Sequence, residues 1–260
     1  MGDVGVGSLI TEQHKRQYRD EGYFILERAI EPPMLEMLRD QCDRFIAKRN
    51  AEMDAAPRPD GGIGVDELGS DVRDNRYFIA NRYRESDEGK LSRFIFSDLM
   101  AEICRATIGP EAFLFYEQWV VKGAEKGVTF SWHQDSGYVK APHQPYVTCW
   151  STLDDVNEEN GTVYLLPYSR AGTREKVEHV RVGRDMVGYH GKDPGEAVIV
   201  PAGSVAVFSS VCFHRSGANR SPRMRRVYLT QYAAAPIINL EGKLSGLADP
   251  FLKGGKRVAM

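Results

Sequence analysis

The chain has 260 residues, 42% of them hydrophobic, and a formal net charge of -2 at pH 7. This length supports one large domain with a sizeable core, and the charge balance gives no basic field for nucleic acid. No run approaches the roughly 18–20 apolar residues that a spanning helix needs, so no membrane embedding is expected.

The opening MGDVGVGSLI lacks the apolar core of a secretory signal and the arginines of a transit peptide. Val6 stands where a myristoylation motif needs Ser or Thr. Cys42, Cys104, Cys149 and Cys212 form no CxxC pair. That pattern suits a reducing cytoplasm and argues against zinc-finger or iron–sulfur sites.

In chain order, Thr11 as N-cap and Glu12 in the first turn predict a helix over residues 11–21. EGYFILERAI (21–30) reads as a turn and a strand. From Pro32-Pro33 onward, Leu35, Leu38, Cys42, Phe45 and Ile46 recur at helical spacing, and proline is tolerated in a first turn. Residues 51–71 are rich in Gly, Pro and Asp, and the stretch 51–86 is expected to include a mobile lid. The arginines in it, Arg73, Arg76, Arg82 and Arg84, are nearly cancelled by Asp71, Asp74, Glu85 and the adjoining Asp87, as on a solvated face. Leu91, Phe94, Ile95, Leu99 and Ile103 share one face of an expected helix over 90–108, which Gly109-Pro110 ends.

From residue 112 the texture changes to short β-branched and aromatic runs separated by turn clusters. Strands are expected at 113–122, 128–133, 145–154, 162–166, 196–200, 204–209, 211–214 and 225–234, with a tight turn at Asn160-Gly161. Helices followed by many short strands predict a mainly β fold with flanking helices. The expected arrangement is one domain over 1–260, a helical part of about 1–110 packed on a barrel core of about 111–235.

The stretch SWHQDSGYV (131–139) carries the chemistry. Residues two apart on an extended segment point to one side, so His133 and Asp135 face one point and Gln134 faces away. An imidazole and a carboxylate from one strand end are two parts of a 2-His-1-carboxylate set, which leaves open metal positions. Alone, the tripeptide is a weak signal and reads first as a structural histidine beside a solvated aspartate. A third ligand is available in VCFHRSGANRSPRMRRVYLTQY (211–232), where His214 ends an apolar strand and Arg225-Arg226 open the next. A buried arginine there would match an anionic co-substrate, because its fork pairs with a carboxylate in two-pronged fashion. A basic surface turn of Arg215, Arg220, Arg223, Arg225 and Arg226 is the alternative. Arg225 and Arg226 point to opposite strand faces, and the neighbouring residues leave open which faces inward. His14, His143, His179 and His190 have no carboxylate at ligand spacing and read as structural or exposed. Cys212 reads as a small buried hydrophobe.

Taken together, these segments resemble the phytanoyl-CoA dioxygenase family of double-stranded β-helix (jelly-roll) oxygenases. The similarity runs from TEQHKRQYRDEGYFIL (11–26) through WHQD (132–135) and WSTLDDVNEENGTVYLLPYSR (150–170) to His214 and Arg225. Where the family usually reads PGSH, this chain has Pro167-Tyr168-Ser169-Arg170. The resemblance implies Fe(II) held by His133, Asp135 and His214, with 2-oxoglutarate as co-substrate. It further implies that Arg225, assisted by Ser216, binds the far carboxylate of 2-oxoglutarate. Tyr116, Gln118, Val120 and Lys122 share the face that would line the co-substrate site, where Gln118 or Lys122 could touch it, and Trp150 lies where an aromatic packs near the cofactor.

The implied reaction consumes O2 and a small-molecule substrate, hydroxylates a C–H bond, and releases succinate and CO2. Retention of Asp135 points to hydroxylation, since related halogenating enzymes replace that carboxylate. Two alternatives carry different consequences. A cupin-like metal enzyme would use the ligands without 2-oxoglutarate, and a non-catalytic binding module would keep the fold alone. Arg225 weighs against the first, and retention of all three ligands against the second.

Overall fold

A computed structural model describes residues 9–55, 78–80, 82–125, 129–183 and 185–258. Helix α1 (Glu12–Glu21) starts at Thr11, whose hydroxyl accepts from the His14 amide while His14 Nδ1 accepts from the Thr11 amide. Gly22 ends it at φ 87°, a left-handed conformation that glycine adopts without strain. Strand β1 (Tyr23–Leu26) follows, then α2 (Pro32–Ala55). Residues 51–55, expected in a loop, are the last turn of α2 instead. Residues 56–77, with Arg73 and Arg76, lie outside the described residues. The far end of the expected lid is strand β2 (Phe78–Ala80) and the 3-10 turn Tyr83–Glu85.

The single helix expected over 90–108 is two, α3 (Lys90–Ile95) and α4 (Asp98–Thr107). The Ser97 hydroxyl accepts from the Met100 amide and so caps a new helix. Both pieces still turn Leu91, Phe94, Ile95 and Ile103 into the core. Among the described residues no helix is long and apolar enough to cross a membrane.

The remaining strands are β3 (Ala112–Lys122), β4 (Phe130–His133), β5 (Val147–Thr152), β6 (Val163–Leu166), β7 (Val180–Val182), β8 (Asp185–Val187), β9 (Glu196–Ala197), β10 (Val205–Ser209), β11 (Phe213–Ser216), β12 (Arg225–Ala233), β13 (Asp249–Lys253) and β14 (Lys256–Arg257). A short helix α5 (Tyr168–Ala171) follows β6. Among the described residues, the large sheet runs β1-β10-β5-β12-β3-β13-β14 with β2 on β3, and the small one runs β4-β11-β6-β9. Antiparallel throughout, they form a double-stranded β-helix with helices on the outer side of the large sheet. The large sheet draws β1, β2, β13 and β14 from outside the expected 111–235 core. β2, the β7–β8 hairpin and β13–β14 were not among the expected strands. In β7 every residue is exposed, so the alternation that betrays a half-buried strand is missing.

Side-chain alternation along β12 separates the two cores. Val227 and Leu229 join Trp150, Ala206, Phe208, Val163 and Leu165 inside the barrel. Tyr228 and Tyr232 face the other way, with Trp119, Val207, Leu38, Phe94 and Ile103 under the helices. Each such aliphatic side chain contributes about 1.5–3 kcal/mol by leaving water.

Glu117 on β3 is fully buried in the helix-side layer. Its Oε1 accepts from the amides of Arg82 (2.7 Å) and Tyr83 (3.1 Å), and its Oε2 from the Tyr228 hydroxyl (2.7 Å). One carboxylate thus ties the Tyr83–Glu85 turn to β3 and β12. Burial pushes its pKa above the usual carboxylate range, and these donors only partly oppose that. The native chain therefore holds this proton more tightly than the unfolded chain does. Its contribution to stability is full below the ordinary carboxyl pKa and is lost as pH rises through the folded-state value. Glu117→Gln should consequently gain on the wild type in urea-unfolding midpoint between about pH 5 and about pH 8. A constant difference across that range would show that Glu117 does not titrate in this way.

Candidate metal centre

Antiparallel pairing of β4 and β11 sets His133 directly opposite His214. The two imidazoles lie 4.2 Å apart, centroid to centroid. β4 ends at His133, so Asp135 is not on the same strand, contrary to the simplest reading of the motif. Gln134 stays extended (φ -109°, ψ 140°) and Asp135 then opens a 3-10 turn, Asp135–Tyr138. Alternation survives through Gln134, whose buried carboxamide turns away to donate to Glu175 O (2.9 Å) and Val211 O (2.7 Å) and to accept from the Val177 amide (2.9 Å). The result is that one ligand atom from each of His133, Asp135 and His214 lies within 4.8 Å of the others. Asp135 Oδ1 is 3.5 Å from His214 Nε2.

Both rings are oriented by the same local device. His133 Nδ1 lies 2.7 Å from Ser131 O, and His214 Nδ1 lies 3.1 Å from Cys212 O. A carbonyl only accepts, so each Nδ1 carries the hydrogen and each Nε2 keeps its lone pair for a cation. Burial, with His214 alongside, pushes His133 down to about 3 and keeps it neutral. Burial also pushes the Asp135 carboxyl up, but the facing His214 and His133 rings and the Thr148 hydroxyl outweigh it and hold it below the usual range. Two imidazoles with their Nε2 atoms turned away from the local carbonyls and one carboxylate on one side of a point are a donor set that fits Fe(II).

Thr148 and Gln231, which sequence reasoning did not single out, complete the setting of Asp135. Thr148 Oγ1 donates to Asp135 Oδ2 at 2.6 Å and Gln231 Nε2 donates to it at 3.0 Å. The available signal was strand parity, since Gln231 shares the inward face of Arg225, Val227 and Leu229 along β12.

A second group gathers elsewhere on the barrel's inner face. Arg225 is 1% exposed, and its Nη atoms donate to Val120 O (3.4 Å) and Gly161 O (3.2 Å). Its guanidinium lies 5.4 Å from the Trp150 ring centre. Lys122, its cross-strand partner, donates to Ser216 Oγ at 2.8 Å and to Gly217 O. Burial, with Arg225 beside it, pushes Lys122 down to about 6. Arg225, Ser216, Lys122 and Trp150 are therefore neighbours. Gln118 is half-buried on the same face of β3, opposite Leu229 and two positions before Val120. Arg226 points outward to Asp154 and Asp43, at 2.7 Å each. The five arginines do not form one surface turn, since Arg215 stacks 3.8 Å from the Tyr164 ring centre and Arg225 is interior.

Of the other histidines, His179 Nε2 accepts from the Gln134 amide and His143 contacts Ser136 Oγ, both structural roles. Cys212 is a free, buried thiol.

A family model described as phytanoyl-CoA dioxygenase (PhyH) matches residues 18–227. This chain belongs to the phytanoyl-CoA dioxygenase family. Among its relatives, the probable alpha-ketoglutarate-dependent hypophosphite dioxygenase of Stutzerimonas stutzeri is 31% identical over 124 residues, 45% of this chain and 43% of that protein. The 2-aminoethylphosphonate dioxygenase of the uncultured bacterium HF130_AEPn_1 is 23% identical over 227 residues, 86% of this chain and 82% of that protein. Among solved structures, EvdO2 from Micromonospora carbonacea var. aurantiaca complexed with 2-oxoglutarate superposes with a TM-score of 0.63 at 20% identity, covering 96% of this chain and 97% of that one.

In this family member the turn between His214 and Arg225 is organised by Asn219, a fully buried residue also missed from sequence. Its Nδ2 donates to Lys122 O, Gly123 O and Arg223 O, and its Oδ1 accepts from the amide and hydroxyl of Ser221. Asn219→Ala would leave those carbonyls short of a donor, at a cost of about 2–3 kcal/mol. The melting temperature should fall by roughly 4–12 °C in calorimetry. A fall under about 1 °C would mean that the loop holds without it.

Proposed function

We propose that this chain is a single-domain Fe(II)- and 2-oxoglutarate-dependent dioxygenase that hydroxylates a C–H bond of a small molecule, yielding succinate and CO2. The observation that carries the reading is the convergence of two imidazole Nε2 atoms and Asp135 Oδ1 in a barrel that also buries Arg225. Fe(II), when bound, supplies the O2 and redox chemistry that couples 2-oxoglutarate decarboxylation to hydroxylation.

The protein's own part is to bind and orient. His133, Asp135 and His214 hold the metal. Arg225 presents its fork to the far carboxylate of 2-oxoglutarate, Ser216 offers a hydroxyl beside it, and Lys122 reaches the same hydroxyl. Trp150 packs beside the guanidinium, and Gln118, on the same inner face of β3 as Lys122, offers a further polar contact to the co-substrate. Retention of Asp135 supports hydroxylation, and an interior Arg225 disfavours a cupin-like enzyme that dispenses with 2-oxoglutarate. Relatives named for hypophosphite and 2-aminoethylphosphonate support a small-molecule substrate. Four free, buried cysteines suit work in a reducing cytoplasm.

Purified protein should bind one Fe(II) per chain, and anaerobic 2-oxoglutarate should then produce a weak visible charge-transfer band. His214→Ala should abolish the band while circular dichroism persists. An unchanged band in that variant would sink the ligand assignment.

Loss of a charge-assisted pair to a carboxylate costs roughly 2–4 kcal/mol, about thirty- to a thousand-fold in affinity. Arg225→Gln should raise the 2-oxoglutarate KM by that order, read from succinate formation, and leave iron binding nearly intact. Arg226→Gln should act on stability instead, through loss of Asp154 and Asp43. If neither arginine alters the KM, the 2-oxoglutarate reading fails.

A further inference from the structure

The two oxygens of Asp135 are not equivalent. Oδ1 faces His214 Nε2 at 3.5 Å. Oδ2 turns toward the large sheet and accepts two hydrogen bonds, from Thr148 Oγ1 at 2.6 Å and from Gln231 Nε2 at 3.0 Å. Gln231 Nε2 also donates to Thr148 Oγ1 at 3.1 Å. That third bond gives the pair its direction. A hydroxyl has one proton, and when its oxygen accepts from the amide, the proton is free to point at the carboxylate.

Thr148 and Gln231 are register partners on β5 and β12, and both are buried. They sit on rigid neighbouring strands, so the donors are built into the barrel wall instead of a loop. A carboxylate oxygen occupied by two directed donors has little lone-pair density left for a cation.

We propose that Thr148 and Gln231 are positioning residues that hold Asp135 as a one-oxygen metal ligand, through Oδ1. The inference rests on the Fe(II)/2-oxoglutarate reading and deepens it. A six-coordinate ion held by three protein atoms has three positions left for co-substrate and O2, whereas a two-oxygen carboxylate leaves two. Releasing Oδ2 from its donors therefore places it in competition with 2-oxoglutarate. The metal itself keeps its ligands, so the defect falls on the co-substrate.

Co(II) is a suitable probe, because it binds such N/O sites and its visible d–d spectrum reports coordination. The full chain loaded with Co(II) is compared as wild type, Thr148→Val, Gln231→Leu and Thr148→Ser, with 2-oxoglutarate titrated into each. Thr148→Val and Gln231→Leu should retain Co(II) affinity within about ten-fold, shift the d–d spectrum, and weaken 2-oxoglutarate binding by about ten-fold or more. Thr148→Ser keeps the hydroxyl and should restore both the spectrum and the affinity. Thr148→Val preserves shape and carries the comparison alone if Gln231→Leu does not fold. Wild-type spectra and 2-oxoglutarate affinities in Thr148→Val would overturn the positioning role while leaving the dioxygenase reading intact. A wild-type chain that took up Co(II) but not 2-oxoglutarate, or neither, would overturn both.

Discussion

The site depends on one cross-strand pair. His133 and His214 are eighty-one positions apart in sequence yet directly opposed between β4 and β11. Strand side chains alternate faces, so a slip of one residue in either strand would send one imidazole out of the barrel. The register is therefore under more constraint than packing alone imposes. Both rings also hydrogen-bond the carbonyl two residues earlier, Ser131 O and Cys212 O. The strand conformation that opposes the rings thus also selects their tautomer, and the lone pairs converge without any further residue being asked to orient them. Asp135 then enters from outside the strand. Its approach is set by Gln134, locked to residues 175–177 and Val211, and by the Ser136 amide donating to Ser210 O.

Electrostatics divides the barrel interior. One region carries Asp135, whose carboxyl is held below the usual range despite its burial and accepts from Thr148 and Gln231. The other carries Arg225, which keeps its charge at any ordinary pH, and Lys122, which burial pushes down to about 6. Desolvation thus limits the second region to one fixed positive charge near neutrality. An arriving carboxylate would favour a second by reprotonating Lys122, so the pocket needs no permanent pair of uncompensated cations in its core.

Much of this was legible from residue spacing and resemblance, and the omissions have physical causes. The three residues that converge in the barrel, His133, Asp135 and His214, were legible because H-x-D, weak alone, combines with the distant H-x-S-x8-R. The strands that carry them alternate visibly. The break between α3 and α4 was harder to see, because Leu91, Phe94, Ile95 and Ile103 keep helical spacing across it and Ser97 caps without disturbing the apolar face. β7 was invisible because neither of its faces is buried. Thr148, Gln231 and Asn219 were missed for a different reason. Each acts through a partner brought from another strand or loop, and an isolated Thr, Gln or Asn carries no local signature of that. For Gln231, strand parity from Arg225 names the face but not the partner.

The dipeptide Arg225-Arg226 shows how closely the two layers are tied. Arg225 enters the barrel, while Arg226 leaves it to hold Asp154 beyond the end of β5 and Asp43 on α2. The Arg226 amide donates to the same Asp154 carboxylate, so backbone and side chain are fixed together. A shift of β12 by one residue that brought Arg226 inside would put Val227 in its place and leave Asp154 and Asp43 without their guanidinium. It would also turn Tyr228 away from Glu117 and Gln231 away from Asp135. Four polar links, two on each face, therefore specify the same register. That redundancy lets a barrel wall made largely of interchangeable Val and Leu side chains present an arginine and a glutamine inward at fixed positions.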